Sequence, residues 1–212
     1  MGSESWLTLI QTFRVIAVIR CEQFVQGQQM AHAAATGGIR LIEITWNSDR
    51  PADLITQLRR DLPNCWIGAG TLLNPEQVRR AVAAGAQFLF TPHVDQTLIQ
   101  LAIEQQVPII PGALSPSEIV QAWQAGASSV KVFPVQAVGG ATYIRSLQGP
   151  LGQIPLIPTG GVTVDNAPAL LEAGAIAVGV SGDLFPQLAI DQEDWHFITQ
   201  RAKILVEQCT RL

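Results

Sequence analysis

The chain has 212 residues, of which 48% are hydrophobic and 14% are charged, and its formal net charge is −4. This composition can bury a large core, and the acidic balance excludes an extended basic surface for nucleic acid. No apolar run reaches the length of a membrane span, and the first residues lack the basic and apolar regions of a signal peptide. The three cysteines and three histidines are scattered, without the spacings of disulfide frameworks or zinc sites. We therefore expect a cytoplasmic protein without a metal site that binds neither nucleic acid nor a membrane.

Short apolar runs alternate with helical stretches along the whole chain. After a short helix near residues 3–12, the predicted strands lie near 14–19, 39–44, 65–69, 87–90, 108–110, 129–133, 155–158 and 176–180. Strands that alternate with amphipathic helices form a parallel sheet. Eight such units are typical of a closed barrel in a chain of this length. We therefore predict a single-domain (β/α)8 TIM barrel over residues 1–212, with the N-terminal helix as an addition.

Four predicted helices end in a glycine of the kind that caps helices in the left-handed conformation, and an even-numbered strand follows each of them: Gly38, Gly85, Gly126 and Gly174. Aligning these glycines aligns the four even-numbered strands. By the two-residue period of a strand, the fifth residue after each glycine faces the barrel interior: Glu43, Phe90, Lys131 and Gly179. The next interior layer lies at the C-terminal mouth, where active sites of this fold occur: Thr45, Pro92, Phe133 and Ser181.

Lys131 is one of only two lysines and lies in an apolar run that predicts a buried strand. Burial lowers the pKa of an amine and yields the neutral nucleophile that forms Schiff bases with ketones. The alternative is an edge-strand lysine that extends to solvent. Glu43 is expected in the same layer, on the opposite side, with Gly179 leaving room between the two side chains. A structural ion pair is a second alternative, but an amine and a carboxylate in one cavity fit imine chemistry with acid–base catalysis.

Two glycine loops near the end of the chain predict a phosphate site. The seventh strand ends in Thr159-Gly160-Gly161, and the eighth ends in Ser181-Gly182. Glycines let the backbone approach a ligand, and the loops after these two strands commonly bind phosphate in this fold. Arg20 ends the first strand, which neighbours the eighth in a closed barrel, so we expect it to bind a carboxylate or phosphate. Simple turns and a solvated arginine are the alternatives.

Taken together, the motifs along nearly the whole chain resemble those of the class I aldolases for 2-keto-3-deoxy-6-phosphogluconate (KDPG) and 4-hydroxy-2-oxoglutarate (KHG). They are Leu41-Ile42-Glu43-Ile44-Thr45, Ile67-Gly68-Ala69-Gly70-Thr71 with Asn74, Thr91-Pro92-His93, Pro111-Gly112, Lys131-Val132-Phe133-Pro134 and Pro158-Thr159-Gly160-Gly161. That family is a (β/α)8 barrel, usually trimeric and metal-free. The resemblance therefore implies a homotrimer with no cofactor beyond a covalent Schiff base on Lys131.

The resemblance also implies roles for individual residues. Lys131 would form the Schiff base, and Glu43 would be the acid and base. Thr71 would bind the carboxylate of pyruvate, and Phe133 would pack on the substrate. The distal end of the substrate would face Thr159, Gly160 and Gly161. The expected substrate-binding set is completed by Arg20, Pro92, Gly179, Ser181 and Gly182.

The chain departs from the family pattern in three respects. Asn47 stands where many members have an arginine, four residues after the glutamate, whereas another branch has an arginine at the end of the first strand, matching Arg20. Ser181-Gly182 replaces the frequent Gly-Ser order, and Gln136 replaces a common glutamate.

The expected reaction is cleavage of KDPG, a phosphorylated 2-keto acid, to pyruvate and glyceraldehyde 3-phosphate. The same chemistry on 2-keto-3-deoxy-6-phosphogalactonate or on KHG remains an alternative. Alternatives of other classes are a phosphosugar isomerase or epimerase, which would not need Lys131 as a nucleophile, and a non-catalytic sensor of a phosphate ligand.

Overall fold

The computed structural model describes residues 3–210, with side chains from residue 6 onward, so the predicted domain limits at 1 and 212 lie outside the described residues. The strands in this part of the chain are β1 (Val15–Ile19), β2 (Leu41–Thr45), β3 (Trp66–Gly70), β4 (Leu89–Phe90), β5 (Ile109–Ile110), β6 (Gly112–Ala113), β7 (Val130–Val132), β8 (Leu156–Pro158) and β9 (Val178–Val180). The α-helices are α1 (Ser3–Phe13), α2 (Phe24–Thr36), α3 (Pro51–Asp61), α4 (Pro75–Ala83), α5 (Gln96–Glu104), α6 (Pro116–Gln124), α7 (Ala141–Leu151), α8 (Ala167–Glu172), α9 (Gln187–Asp191) and α10 (Trp195–Thr210), and a 3-10 helix covers Val135–Val138.

The strands are parallel and form two curled sheets. One has the strand order β5-β4-β3-β2-β1-β9, and the other has the order β6-β7-β8. The fifth predicted strand, near 108–110, corresponds to β5 alone, and a further segment, β6, follows after Pro111, which has no N–H group to continue the ladder. β5 pairs with β4, whereas β6 pairs with β7. A single bridge joins Thr159, which follows β8, to Gly179 in β9. These findings confirm the α/β class and the parallel strands.

Successive strand residues alternate between two buried clusters, as the two-residue period predicts. The outer cluster lies beneath the helices, and the inner cluster lies on the opposite face of the strands. In β1, for example, Ala17 belongs to the outer cluster, and its neighbours Ile16 and Val18 belong to the inner cluster. The residues directly before the four predicted interior positions all lie in the outer cluster, as the two-residue period requires: Ile42, Leu89, Val130 and Val178.

Helix α1 covers the inner cluster at the N-terminal end of the strands. Trp6 and Ile10 are fully buried there, and the rings of Trp6 and Phe88 lie 5.3 Å apart. The indole N–H of Trp6 donates a hydrogen bond of 3.1 Å to the hydroxyl of Ser129, just before β7. The predicted N-terminal helix therefore closes one end of the interior and leaves the C-terminal end for a site.

The four predicted capping glycines all have positive φ, with values of +102° at Gly38, +94° at Gly85, +98° at Gly126 and +105° at Gly174. At the first of these, the N–H of Ile39 donates to the carbonyl of Ala34 across the helix end. This bond is typical of the Schellman motif, in which the left-handed residue turns the chain out of the helix. Each cap therefore fixes where the next strand begins.

Candidate active site

Glu43 in β2 and Lys131 in β7 are both buried, with 1% and 6% of their surface exposed. β7 lies between β6 and β8, so the edge-strand alternative for Lys131 is excluded. Its Nζ lies 5.7 Å from the ring centre of Phe90 and 4.7 Å from that of Phe133. Phe90 belongs to the inner cluster, so the lysine points into the interior, as predicted.

Burial shifts the pKa values of both groups toward their neutral forms. Desolvation lowers the pKa of the Lys131 amine; the negative charge of Glu43 opposes this shift, and the positive charge of Arg20 adds to it. Desolvation raises the pKa of the Glu43 carboxyl, against the opposing effect of the positive charges on Lys131 and Arg20. The interior therefore favours a neutral amine, which can attack a carbonyl carbon, near a carboxyl group that can give or take a proton.

One carboxylate oxygen of Glu43 has no partner. Oε1 is buried, and no donor among the described residues reaches it. An unsatisfied buried acceptor costs about 1–3 kcal/mol and calls for an explanation, such as a catalytic role or a bound water. The pair with Lys131 is therefore not a fully satisfied structural ion pair.

Two alternating glycines in β3 make room for the interior side chains. A Cβ on Gly70 would overlap the carboxylate of Glu43, and a Cβ on Gly68 would overlap the ring of Phe88. A glycine inside a strand often marks such a close approach. Both glycines lie in the motif that carries the family resemblance, but the space that they leave was not predicted.

Thr71, directly after β3, has a left-handed backbone with φ of +58°. This conformation is unusual for a β-branched residue. Backbone strain of this kind costs roughly 1–3 kcal/mol and is concentrated at ligand sites. Because Thr71 follows Gly70, the strained residue lies next to the strand position that accommodates the Glu43 carboxylate.

The role expected for Gly179 needs correction. We predicted that it leaves room between Glu43 and Lys131, but the atoms nearest to a Cβ on Gly179 all belong to Thr159, whose Oγ1 would lie 2.6 Å away. Register explains the difference, since Thr159 bridges directly to Gly179. The glycine that accommodates the carboxylate of Glu43 is Gly70.

The loop after β8 packs against the segment that follows Lys131. Gly160 and Gly161 have φ values of +86° and +82°, and a Cβ on Gly161 would overlap the side-chain stem of Gln136. The N–H of Gln136 donates to the carbonyl of Gly160. At residue 136, where the family often has a glutamate, the contacts with the loop involve the backbone and the aliphatic stem of the Gln136 side chain. The loop therefore does not need a carboxylate here.

A cleft of about 620 Å³ brings together the ends of β1 and β9. Its walls include Arg20, Asn47, Ser181 and Gly182. The prediction that Arg20 lies near Ser181 and Gly182 is therefore confirmed. Because the charge of Arg20 also affects the pKa values of Glu43 and Lys131, its guanidinium is electrostatically coupled to the buried pair.

Two residues of the predicted mouth layer have partners within the protein. The hydroxyls of Thr45 and Ser48 form a hydrogen bond of 3.1 Å. The backbone of Pro92 packs on Gly112, where a Cβ would lie 2.5 Å from the Pro92 carbonyl carbon. In this layer, Phe133 lies beside the Lys131 amine and Ser181 lies in the cleft.

Ser48 and Asp49 fix the segment that follows Arg20, a role that we did not predict. The N–H of Cys21 donates to the Ser48 hydroxyl at 3.2 Å, and the N–H of Asp49 donates to the Cys21 carbonyl at 2.9 Å. The Asp49 carboxylate also accepts a 3.0 Å hydrogen bond from the N–H of Phe24. Ser and Asp are typical of turns in which side chains bond the backbone, and this was the available signal.

Other binding features are few in residues 3–210. Within this range, no group of three or more His, Cys, Asp or Glu side chains is arranged to hold a metal ion, and no helix has the length and apolarity of a membrane span. Cys21, Cys65 and Cys209 are buried free thiols. Burial raises the pKa of each thiol, and that of Cys209 to about 11.

Comparison with known proteins gives a consistent result. Residues 7–201 match the model of the family described as KDPG and KHG aldolase. The KHG/KDPG aldolase of Escherichia coli K12 is 31% identical over 208 residues, which cover 96% of this chain and 98% of that protein. The 2-dehydro-3-deoxy-phosphogluconate aldolase of Pseudomonas aeruginosa is 33% identical over 202 residues, covering 95% and 91%.

Solved structures agree with the sequence comparison. The KDPG aldolase of Legionella pneumophila, with pyruvate captured as a covalent carbinolamine, superposes with a TM-score of 0.85 at 28% identity. That match covers 96% of this chain and 97% of the Legionella chain. The chain therefore belongs to the KDPG and KHG aldolase family.

Proposed function

We propose that the chain is a class I aldolase, a lyase that cleaves KDPG to pyruvate and glyceraldehyde 3-phosphate through a Schiff base on Lys131. The observation that carries this proposal is the buried Lys131 amine, 6% exposed, in the same interior as the buried carboxyl of Glu43. An isomerase, an epimerase or a phosphate sensor would not need a buried amine beside a buried carboxyl. The covalent pyruvate adduct in the Legionella relative supports the same chemistry.

Lys131 supplies the nucleophile. Its neutral Nζ attacks the C2 carbonyl carbon of the 2-keto acid to form a carbinolamine, and loss of water gives an iminium ion. The electrons of the C3–C4 bond then move into the iminium to form an enamine. At the same time the C4 hydroxyl loses its proton and becomes the carbonyl of the departing glyceraldehyde 3-phosphate. Protonation of the enamine at C3 and hydrolysis of the resulting iminium release pyruvate and the free amine. The iminium acts as the electron sink, so this sequence requires no metal ion.

Glu43 moves the protons. As a carboxylate it takes the proton from the C4 hydroxyl, directly or through a water, and as a carboxylic acid it returns a proton to C3 of the enamine. The unpartnered Oε1 is the atom available for this exchange. The raised pKa of the carboxyl brings it closer to the range in which both protonation states are populated. General acid–base catalysis of this kind typically contributes about 10²–10⁴ in rate.

The other site residues are proposed to bind the substrate from its carboxylate to its phosphate. Thr71 binds the carboxylate next to Glu43, Phe133 packs on the carbon chain beside Lys131, and Pro92 forms part of the mouth. The phosphate lies between the two glycine loops and the strand-end arginine, a set that comprises Thr159, Gly160, Gly161, Gly179, Ser181, Gly182 and Arg20. The cleft that contains Arg20, Ser181 and Gly182 supports this direction of binding.

The proposed architecture is one closed (β/α)8 barrel in a single domain. The bridge between Thr159 and Gly179 links the edge strands β8 and β9 of the two sheets. At the other junction, only Pro111 separates β5 from β6. Both features support closure of the barrel. A homotrimer is proposed from the family resemblance. A designed cube-shaped cage that fuses symmetric oligomeric domains has a TM-score of 0.84 to this chain. A cytoplasmic location agrees with three free thiols.

KHG is a second candidate substrate, because the Escherichia coli relative is a KHG/KDPG aldolase by name. Phosphogalactonate aldolase chemistry is the third, since a structure described as native KDPGal also superposes, with a TM-score of 0.85. Steady-state cleavage of the three acids by the purified protein tests the proposal. We expect the wild type to have its highest kcat/KM on KDPG. The Lys131→Met variant is expected to cleave none of the three acids. Cleavage of none of them by the wild type would refute the proposed function.

A further inference from the structure

The carboxylate of Asp183 joins the two glycine loops. Asp183 follows Ser181 and Gly182 after β9, and its Oδ2 accepts a 2.8 Å hydrogen bond from the N–H of Val164. Val164 lies in the loop after β8, three residues beyond Gly161. A single side chain therefore ties together two backbone segments that reach the same end of the sheet from different strands.

Arg201 in α10 holds Asp183 in place. Its Nη2 donates to the same carboxylate oxygen, and its Nε donates to the backbone carbonyl of Asp183 at 2.9 Å. The two side chains are 27% and 31% exposed, and the guanidinium lies 5.7 Å from the ring centre of Phe197. Charge-assisted hydrogen bonds from one guanidinium to two acceptors fix both the side chain and the backbone of Asp183.

The loop after β8 is otherwise closed on itself. The side chain of Asn166 accepts from the N–H of Thr163 and donates to the carbonyl of Gly161. Among the described residues, no acceptor pairs with the N–H groups of Gly160, Gly161 and Gly182. These groups are available to an anion, and their relative position depends on what connects the loops. Among the hydrogen bonds of residues 3–210, the loops are connected by the bridge at Thr159 and by the hydrogen bond of Asp183 to Val164.

We propose that Asp183, held by Arg201, is a positioning residue for the phosphate end of the substrate. It sets the distance between the Gly160–Gly161 loop and the Ser181–Gly182 loop, so that both present their N–H groups to one phosphate. Arg201 has a second effect, because its charge neutralises a carboxylate that would otherwise repel the phosphate. This inference rests on the proposed function for the assignment of the phosphate, but not for the contacts themselves.

A comparison of KM for KDPG with KM for KHG separates this role from a structural one. In Asp183→Asn, the side chain loses its charge and one acceptor oxygen, and we expect KM for KDPG to rise about tenfold, the usual size of a lost charge-assisted hydrogen bond. KM for the unphosphorylated acid KHG is expected to stay within about twofold, as is kcat. Arg201→Met should be more harmful on KDPG than Asp183→Asn, because it leaves the carboxylate unneutralised beside the phosphate. The double variant should then recover part of that loss.

Asp194→Ala is the matched control. Asp194 accepts the N–H of Phe197 at 2.9 Å and caps the helix that carries Arg201. Its loss is expected to lower the melting temperature without changing either KM. If Asp183→Asn does not fold, Arg201→Lys provides the same comparison, since it keeps the charge but loses the two-acceptor geometry. We then expect an intermediate rise in KM for KDPG alone.

Calorimetric titration with inorganic phosphate separates this inference from the proposed function. Weaker phosphate binding by Asp183→Asn than by the wild type supports the positioning role, even if the wild type cleaves neither acid and the proposed function fails. Equal phosphate binding by the two proteins would overturn the positioning role. An equal rise in KM for KDPG and KHG would overturn it as well, while leaving the aldolase assignment intact.

Discussion

The carboxylate of Glu43 occupies the space that a side chain on Gly70 would fill. The two residues lie on adjacent strands, where Glu43 pairs with Gly68 and Thr45 pairs with Gly70. The carboxylate therefore leans along the strand toward the C-terminal mouth and over the backbone of β3. The absence of a side chain at residue 70 is what permits this position of the proposed acid and base.

Gly70→Ala should displace the Glu43 carboxylate and remove most of its contribution to cleavage. We expect kcat to fall by about 10²–10⁴, the usual range for general acid–base catalysis. Covalent trapping of pyruvate on Lys131 should remain detectable, because the amine itself is untouched. Steady-state kinetics and borohydride trapping of the same preparation measure the two effects.

Gly149→Ala is the control for this substitution. Gly149 lies in α7, and a Cβ there would meet no atom within 4 Å. Its kcat is expected to equal that of the wild type, with little change in stability, because the gain that alanine gives within a helix is offset by crowding of the new Cβ against the ring of Pro150. Wild-type turnover in Gly70→Ala would show that the position of the carboxylate does not matter.

Thr71→Gly should raise the stability of the protein and lower its catalytic activity. Thr71 has φ of +58°, which costs an L-residue roughly 1–2 kcal/mol and glycine very little. Part of this gain is offset by the greater flexibility of glycine in the unfolded chain, so we expect the free energy of unfolding to rise by about 1 kcal/mol. At the same time kcat/KM should fall about tenfold or more, because the hydroxyl proposed to bind the substrate carboxylate is lost. Urea unfolding and steady-state kinetics measure the pair.

Glu193→Gly provides the comparison for Thr71→Gly. Glu193 also has positive φ, +53°, and lies between α9 and α10. We expect a similar gain in stability without a change in kcat/KM. If Thr71→Gly kept full activity, Thr71 would not bind the substrate; if it gained no stability, the backbone there would not be strained.

The pH dependence of imine formation should shift in opposite directions in two variants. Only the neutral Lys131 amine reacts, so a lower pKa of this amine moves the reactive range to lower pH. The positive charge of Arg20 lowers this pKa, and the negative charge of Glu43 raises it. Arg20→Ala should therefore shift the profile to higher pH. Glu43→Gln should shift the profile to lower pH, because the substitution removes the negative charge that the ionised carboxyl carries in the wild type.

Trapping of pyruvate with cyanoborohydride across a pH series measures these profiles. In the wild type, the midpoint should lie below the ordinary lysine value, because desolvation lowers the pKa of Lys131. Shifts of the two variants in the same direction would mean that the charges of Arg20 and Glu43 do not act on this amine.

Arg20→Ala should also discriminate between substrates. Arg20 lies in the cleft with Ser181 and Gly182, so we expect kcat/KM to fall at least about tenfold on KDPG and much less on KHG. Arg50→Ala is the control, since Arg50 is an exposed arginine on the adjacent loop whose guanidinium lies over the ring of Phe24 at 4.2 Å. At a pH where the Lys131 amine is neutral in both proteins, an equal loss on both acids would assign Arg20 to the substrate carboxylate, and no loss on either would make it a solvated arginine.

Local features of the sequence predicted most of the fold. The alternation of strand residues and the capping glycines depend only on near neighbours in the chain, and both are confirmed at Ile42 and Gly38. The interruption after β5 and the further segment β6 were missed, although Pro111 carried the signal in its missing N–H group. The covering of the interior by Trp6 was missed as well, because its contact with Phe88 joins distant parts of the chain.

Site features that depend on register were harder to predict. The burial of Lys131 and Glu43 followed from strand periodicity alone, whereas the space around Glu43 depends on the alignment of β2 with β3. For this reason we predicted wrongly that Gly179 provides that space. The contact of Asp183 with Arg201 could not be predicted, since it requires α10 to be packed against the loop after β9.

Reductive trapping on Lys131 tests the proposed chemistry with one experiment. The protein is incubated with pyruvate and borohydride, digested and analysed by mass spectrometry. We predict one modified peptide, the one that contains Lys131, because a neutral amine that attacks a ketone must pass through a reducible imine. Lys203 serves as the internal control, since it is an exposed lysine on α10. Modification of Lys203 and the N-terminus with Lys131 untouched would contradict the Schiff-base mechanism.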